Sequence, residues 1–221
     1  MPKRSTKLSH YFLQDISPVV RFLIISDTVV LGAAGLLGPV FALFIEDFIV
    51  GGNEATAGLA AGIYLFTKSL LQIPIAHYID RIVGEKDDFW LLFSCSVLTS
   101  LLPLAYLFIS TPTQLYLVQF VMGLFIAFTF PTFMALFTRH IDHDKEGTEW
   151  GVYFTLTDLT SAAFAAVGGY VAATQGFETL IIMVVIMSVL GSLLLWPIKA
   201  YIRLPRKPKS KPKVKTLIIS K

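Results

Sequence analysis

Between Val19 and Ala200 the chain is almost entirely apolar, in six runs of twenty or so residues parted by short polar connections. At 1.5 Å of rise per residue, a helix of about 20 residues crosses the ~30 Å hydrocarbon core of a bilayer. In lipid every backbone amide needs an internal partner, which leaves helices or a closed barrel, and none of the runs alternates as barrel strands do. Six membrane helices are therefore expected, at about 20–45, 55–79, 89–109, 115–137, 150–173 and 179–202. With 221 residues, 55% of them hydrophobic, little is left over for a separate soluble domain.

The charges orient these helices. Of 18 lysines and arginines, all but Lys68 fall before or at the start of the first run, in the second and fourth connections, or at the end of the last run and beyond it. The first connection, EDFIVGGNEAT, has three acids and no base, and the third and fifth, STPTQ and TQGFE, have no base either. Basic connections stay on the cytoplasmic side, so both termini are expected there. Residues 1–19 read as a cytoplasmic N-terminal segment, 20–202 as a six-helix transmembrane domain, and 203–221 as a basic, disordered cytoplasmic tail. Nine of the 18 bases lie between Lys199 and Lys221, a composition that suits the anionic inner leaflet better than nucleic acid. Cys95, alone and inside an apolar run, precludes an intrachain disulfide. The N-terminus lacks a short apolar core with a small-residue cleavage site, so no cleaved signal peptide is expected.

The connection after the second run reads Ala76-His77-Tyr78-Ile79-Asp80-Arg81-Ile82-Val83-Gly84-Glu85-Lys86. It resembles the signature between the second and third helices of the major facilitator superfamily, with Ala76 for the leading glycine, one extra residue before Gly84, and Glu85 for a base. The charged connection leading into TEWGVY is similar to that family's link between helices 4 and 5. Nearly the whole chain resembles one six-helix half of a transporter that normally has twelve helices. Other marks differ. Gln119 stands four residues before Gly123, where many members have arginine, and Phe164-Ala165 precede Gly168-Gly169, where antiporters have Gly-Pro. The resemblance implies secondary transport by alternating access, with Asp80, Arg81, Gly84 and Lys86 as gating residues. Independently of the family, Asp80 can accept from the exposed amides of a helix N-terminus and Arg81 can pair with acids of the other basic connection. The plainer alternative is a solvated, positive-inside turn.

Three ionisable residues fall within apolar runs: Asp27, Lys68 and Asp158. Each costs at least about 2.5–3.5 kcal/mol at mid-bilayer, so each is expected to face protein or water. Counted from Arg21, Asp80 and Trp150, they lie about 9, 18 and 12 Å in, close enough for a long lysine to reach an acid. They are candidates for a solute- or ion-binding site, with Tyr64 and Gln72, each four residues from Lys68, and Gln119 as polar neighbours. The competing reading is an internal ion pair that locks the bundle, with threonine and glutamine bonding neighbouring helices. Pro131, in the phenylalanine-rich FIAFTFPTFMALF, is expected to kink or loosen its helix.

Small residues recur at Gly32, Gly35 and Gly38, at Ala57, Gly58, Ala61 and Gly62, and from Ala162 to Gly169, and let helices approach closely in lipid. Most are expected to serve contacts within the six-helix unit. Six helices enclose half a cavity, so the expected partners are the bilayer, a small-molecule or ionic solute, and a second copy or second half-transporter. Nucleic acid is not among them. No nucleophile, zinc or phosphate-loop motif appears, so neither enzymatic activity nor a cofactor is implied. His140-Ile-Asp-His143 reads as a hydrated loop rather than a metal site. The expected location is the bacterial plasma (inner) membrane. The rivals to a half-length transporter are a non-transporting membrane interaction or regulatory protein derived from one, and a truncated transporter.

Overall fold

The computed structural model describes residues 13, 16–81 and 84–202. The expected tail over 203–221 and most of the N-terminal segment lie outside the described residues. Six helices are long and apolar enough to cross a membrane: α1 (Pro18–Phe48), α2 (Glu54–Arg81), α3 (Glu85–Leu107), α4 (Pro112–His140), α5 (Glu146–Gln175) and α6 (Phe177–Ala200). Each end falls within four residues of its expected position. The described residues contain no strand. The protein is an all-α, multi-pass integral membrane protein.

Local chemistry sets the ends. Thr111 and Gln114 form a reciprocal capping box at the start of α4, with Pro112 in the first helical position, where its missing N–H costs nothing. Glu85, Asp87 and Asp88 occupy the first turn of α3, favourably against the positive end of the helix dipole. Gly176 alone separates α5 from α6, at a φ of 86° that side-chain-bearing residues avoid. Pro39, Pro103 and Pro197 each sit in a short 3₁₀ stretch, where α1, α3 and α6 tighten rather than end. Pro131 and Pro74, by contrast, lie inside continuous helices, α4 and α2.

The principal packed pairs are α2 with α4, α1 with α5 and α6, and α3 with α4 and α6. Exchanging helices 1–3 for 4–6 converts α1·α5 into α4·α2 and α1·α6 into α4·α3, and leaves α3·α6 unchanged, an internal two-fold pattern. The pairs order α5, α1, α4 and α2 into a row, and α6 and α3 close its back. The row's outer members, α2 and α5, are the least enclosed: 17% of each apolar window is buried, against 33–44% elsewhere.

Two apolar clusters hold the ends. One gathers Leu23, Phe89, Phe137, Tyr153 and Ile198 at the end that carries Arg81, Arg139 and Lys199, called here the charged end. The other joins Leu36, Phe44, Tyr106, Leu115 and Leu180 at the far end. Between them, close approach does the work that apolar burial cannot do in lipid. A Cβ on Gly35 would lie 2.8 Å from the Ser161 carbonyl oxygen, and one on Gly123 would lie 2.7 Å from that of Tyr64. Ser26 donates to the Gly191 carbonyl (2.8 Å), Ser100 to that of Ser188 (3.0 Å), and Ser161 to that of Leu31 (3.2 Å). The small residues are thus divided. Gly32, Gly35, Gly123 and Gly168 pack inside the unit, whereas Gly58 and Gly62 on α2 and Gly151 and Gly169 on α5 look onto open space.

Candidate functional site

The three intramembrane charges lie on both wings of the row. Asp27 is half-buried on α1, where the Tyr153 hydroxyl of α5 donates to its Oδ2 at 2.6 Å. This bond spans the α1/α5 seam, whose glycines bring the two backbones together. Asp158, further along α5, is exposed and lies within electrostatic reach of Tyr153. The acids thus share one wing.

Lys68 belongs to the other wing. It is half-buried on α2 beside the Gly123 contact, and its Nζ lies 4.9 Å from the centre of the Phe130 ring on α4. Such a cation–π contact offsets part of the cost of holding an ammonium in an apolar layer. No ion pair joins Lys68, Asp27 or Asp158 to one another or to any other described residue. The internal ion-pair lock is therefore not what the structure contains.

The polar neighbours divide in the same way. Tyr64 and Gln72 are half-buried on α2, one turn to either side of Lys68. Gln119 is buried and donates to the Tyr106 hydroxyl at 3.2 Å, so its amide is occupied within the unit at the α3/α4 seam. Thr157 bonds back to the Tyr153 carbonyl of its own helix at 3.0 Å.

At the charged end Asp80, Arg81 and Lys86 are exposed, and Gly84 caps the start of α3. Asp80 and Arg81 make no ion pair among the described residues. The ties between α3 and α4 run through their neighbours instead. Arg139 pairs with Asp88, which is 1% exposed, and His140 Nε2 lies 3.6 Å from Glu85 Oε2. Asp142 donates its backbone N–H to the fully buried Glu149 at 3.4 Å, folding the α4–α5 connection onto α5. His140 and His143 turn to different acids, Glu85 and Glu146, and no group of three or more metal-ligating side chains occurs among the described residues.

This arrangement is a helical unit with ionisable groups at mid-depth and a charged, ion-paired end. A family model described as Major Facilitator Superfamily matches residues 23–220. The chain belongs to the major facilitator superfamily. Comparison with curated proteins gives no match. As a facilitator-superfamily protein the chain is of a transporter family, not an enzyme family, and its function is transporter-like in the same coarse sense. Gly123 seats α2 on α4 beside Gln119, and Gly168 seats α5 against Leu36 beyond Phe164-Ala165.

Sequence reasoning missed four participants in this facilitator unit: Tyr153, Phe130, Asp88 and Arg139. The first two are aromatic residues in apolar runs rich in aromatics, and only the packing of α1 on α5 and of α2 on α4 selects them. Asp88 lies two residues beyond Lys86, next to the connection whose plainer reading is a solvated turn. Because α3 begins at Glu85, Asp88 falls in its first turn and faces inward.

Proposed function

We propose that the chain is one half of a secondary transporter, moving a small polar or charged solute by alternating access between two six-helix units, most simply two copies of itself. The observation that carries this reading is that Lys68 and Asp158 sit at mid-depth in lipid-spanning helices with no ion-pair partner among the described residues. A bilayer does not tolerate such groups on a lipid-facing surface; they belong to a water-filled cavity or to a partner. In this reading Lys68, Asp27 and Asp158 contact the solute or a coupling ion, and Tyr64 and Gln72 line the approach. Asp80, Arg81, Gly84 and Lys86 meet the second unit at the charged end when the cavity opens on the other side. Both termini face the cytoplasm of a bacterial inner membrane, following the distribution of bases.

The test is uptake into proteoliposomes across a panel of anionic, cationic and amphipathic solutes. Wild-type protein takes up at least one of them above protein-free vesicles, and Lys68→Ala and Asp27→Asn each lower that uptake tenfold or more while inserting normally. No uptake of any solute, or uptake unaltered in both variants, overturns the reading.

A further inference from the structure

We propose that in the solute-free dimer Lys68 of one copy pairs with Asp158 of a second copy, and Asp158 of the first with Lys68 of the second. This rests on the half-transporter reading above and names the contact that joins the halves. The two residues have opposite charge and lie on α2 and α5, the outer members of the row, separated within one chain by α1 and α4. Neither has an ion-pair partner among the described residues.

Their depths agree. Lys68 lies thirteen residues from Arg81, the charged end of α2, and Asp158 twelve residues from Glu146, the charged end of α5. At 1.5 Å per residue these are about 20 and 18 Å. The agreement was hidden in the sequence because α5 begins at Glu146, a full turn earlier than its apolar run suggests.

The faces agree as well. On α2, positions 58, 62, 65, 69, 72 and 76 follow alternating steps of four and three, and so do 151, 155, 158, 162, 165 and 169 on α5. Such spacing keeps each set on one helix face, and every residue in both sets is exposed or half-buried. α2 runs toward the charged end and α5 away from it, so the two lie antiparallel in a shared bilayer. Setting Arg81 level with Glu146 brings Gly58 level with Gly169, Gly62 with Ala165, and Ser69 with Asp158. Lys68 adjoins Ser69, about 1.5 Å along the axis and about 100° round the helix from it, so it is the length of the lysine side chain that carries its ammonium to the partner carboxylate. Glycine and alanine along both faces allow the backbone approach this needs, and a Cβ on Gly58, Gly62, Gly151 or Gly169 would meet no atom of the described residues within 4 Å in a single copy. A two-fold axis along the membrane normal makes the contact reciprocal, two identical pairs per dimer.

The experiment counts subunits by single-molecule photobleaching in lipid vesicles, using the full chain. The expected result is a dimeric wild type, a fivefold or greater fall in dimer fraction for Lys68→Asp or Asp158→Lys alone, and recovery to within twofold in the double swap. A dimeric wild type whose dimer fraction ignores both single reversals overturns the ion pair and leaves the half-transporter dimer standing. A monomeric wild type overturns both. Should a reversal impair insertion, two tagged Cys95→Ser forms, one with Ser69→Cys and one with Asp158→Cys, are oxidised together. The pairing requires a disulfide-linked heterodimer and none when Leu70→Cys, on the adjacent face, replaces Ser69→Cys; equal linking of both or neither overturns it.

Discussion

Gly168→Ala is expected to separate α1 from α5 and destabilise the whole unit. A Cβ on Gly168 would fall 2.6 Å from the Leu36 carbonyl carbon and 2.7 Å from its Cα. These are backbone atoms of the neighbouring helix and have no rotamer with which to retreat. Ordinary carbon contacts need about 3.5–4.0 Å, so the helices must part by about 1 Å at this point. The seam also carries the Ser161 hydroxyl bond to the Leu31 carbonyl (3.2 Å) and the Tyr153 bond to Asp27 (2.6 Å), and a shift of that size weakens whatever is nearest. Overpacking of this kind costs about 1–3 kcal/mol. For a chain of this size, ~2 kcal/mol corresponds to a fall of about 4–8 °C in the unfolding midpoint. Within a single copy the neighbouring Gly169→Ala is the control, because no atom of the described residues lies within 4 Å of its Cβ; as Gly169 lies on the face proposed to meet a second copy, the two variants are compared as detergent-separated monomers. There the substitution is expected to be neutral or slightly stabilising, since alanine favours helix over glycine by about 1 kcal/mol. Thermal unfolding of both variants in detergent, followed by size-exclusion chromatography, separates them. Equal midpoints for Gly168→Ala and Gly169→Ala would refute the close-approach argument.

Two further outcomes follow from the charged end. Arg139→Ala leaves the Asp88 carboxylate buried without its partner, and the expected cost of about 2–3 kcal/mol exceeds that of Lys145→Ala, which removes the solvated pair with Asp142. Thermal unfolding of the two variants checks this, and equal midpoints count against a structural role for the buried pair. In a Cys95→Ser background, an impermeant maleimide is expected to label Lys86→Cys but not Phe108→Cys in inside-out vesicles, both sites being exposed at opposite ends of the bundle. The reverse pattern would place the basic connections outside.

The fold was legible because bilayer physics leaves few choices: length and apolarity delimited α1 to α6 to within a turn. Side-chain contacts were less legible, since within an apolar run the sequence does not say which face meets which helix. Lys68 and Asp27 stood out as expensive residues, but nothing in the linear pattern linked the first to Phe130 or the second to Tyr153. Gln119 illustrates the opposite case. Its polarity suggested a place in the cavity, and the linear pattern did not show that its amide donates to the Tyr106 hydroxyl on the neighbouring α3. At the charged end the acids and bases were all visible, yet the helix start at Glu85 decided that Asp88, not Asp80, is the carboxylate enclosed by protein.

The single residue between α5 and α6 makes these two helices a pair of arms hinged at one end. Gly176 fixes their far tips together, so any swing of α5 against α6 is nil at that tip and grows toward Glu146. Over the 30 residues of α5, a lever of about 45 Å, a tilt of only ~5° carries the opposite tip sideways by about 4 Å. Asp158, a little past halfway along that arm, travels about half as far, so a small pivot at one membrane surface becomes a measurable stroke at mid-depth and a larger one at the other surface.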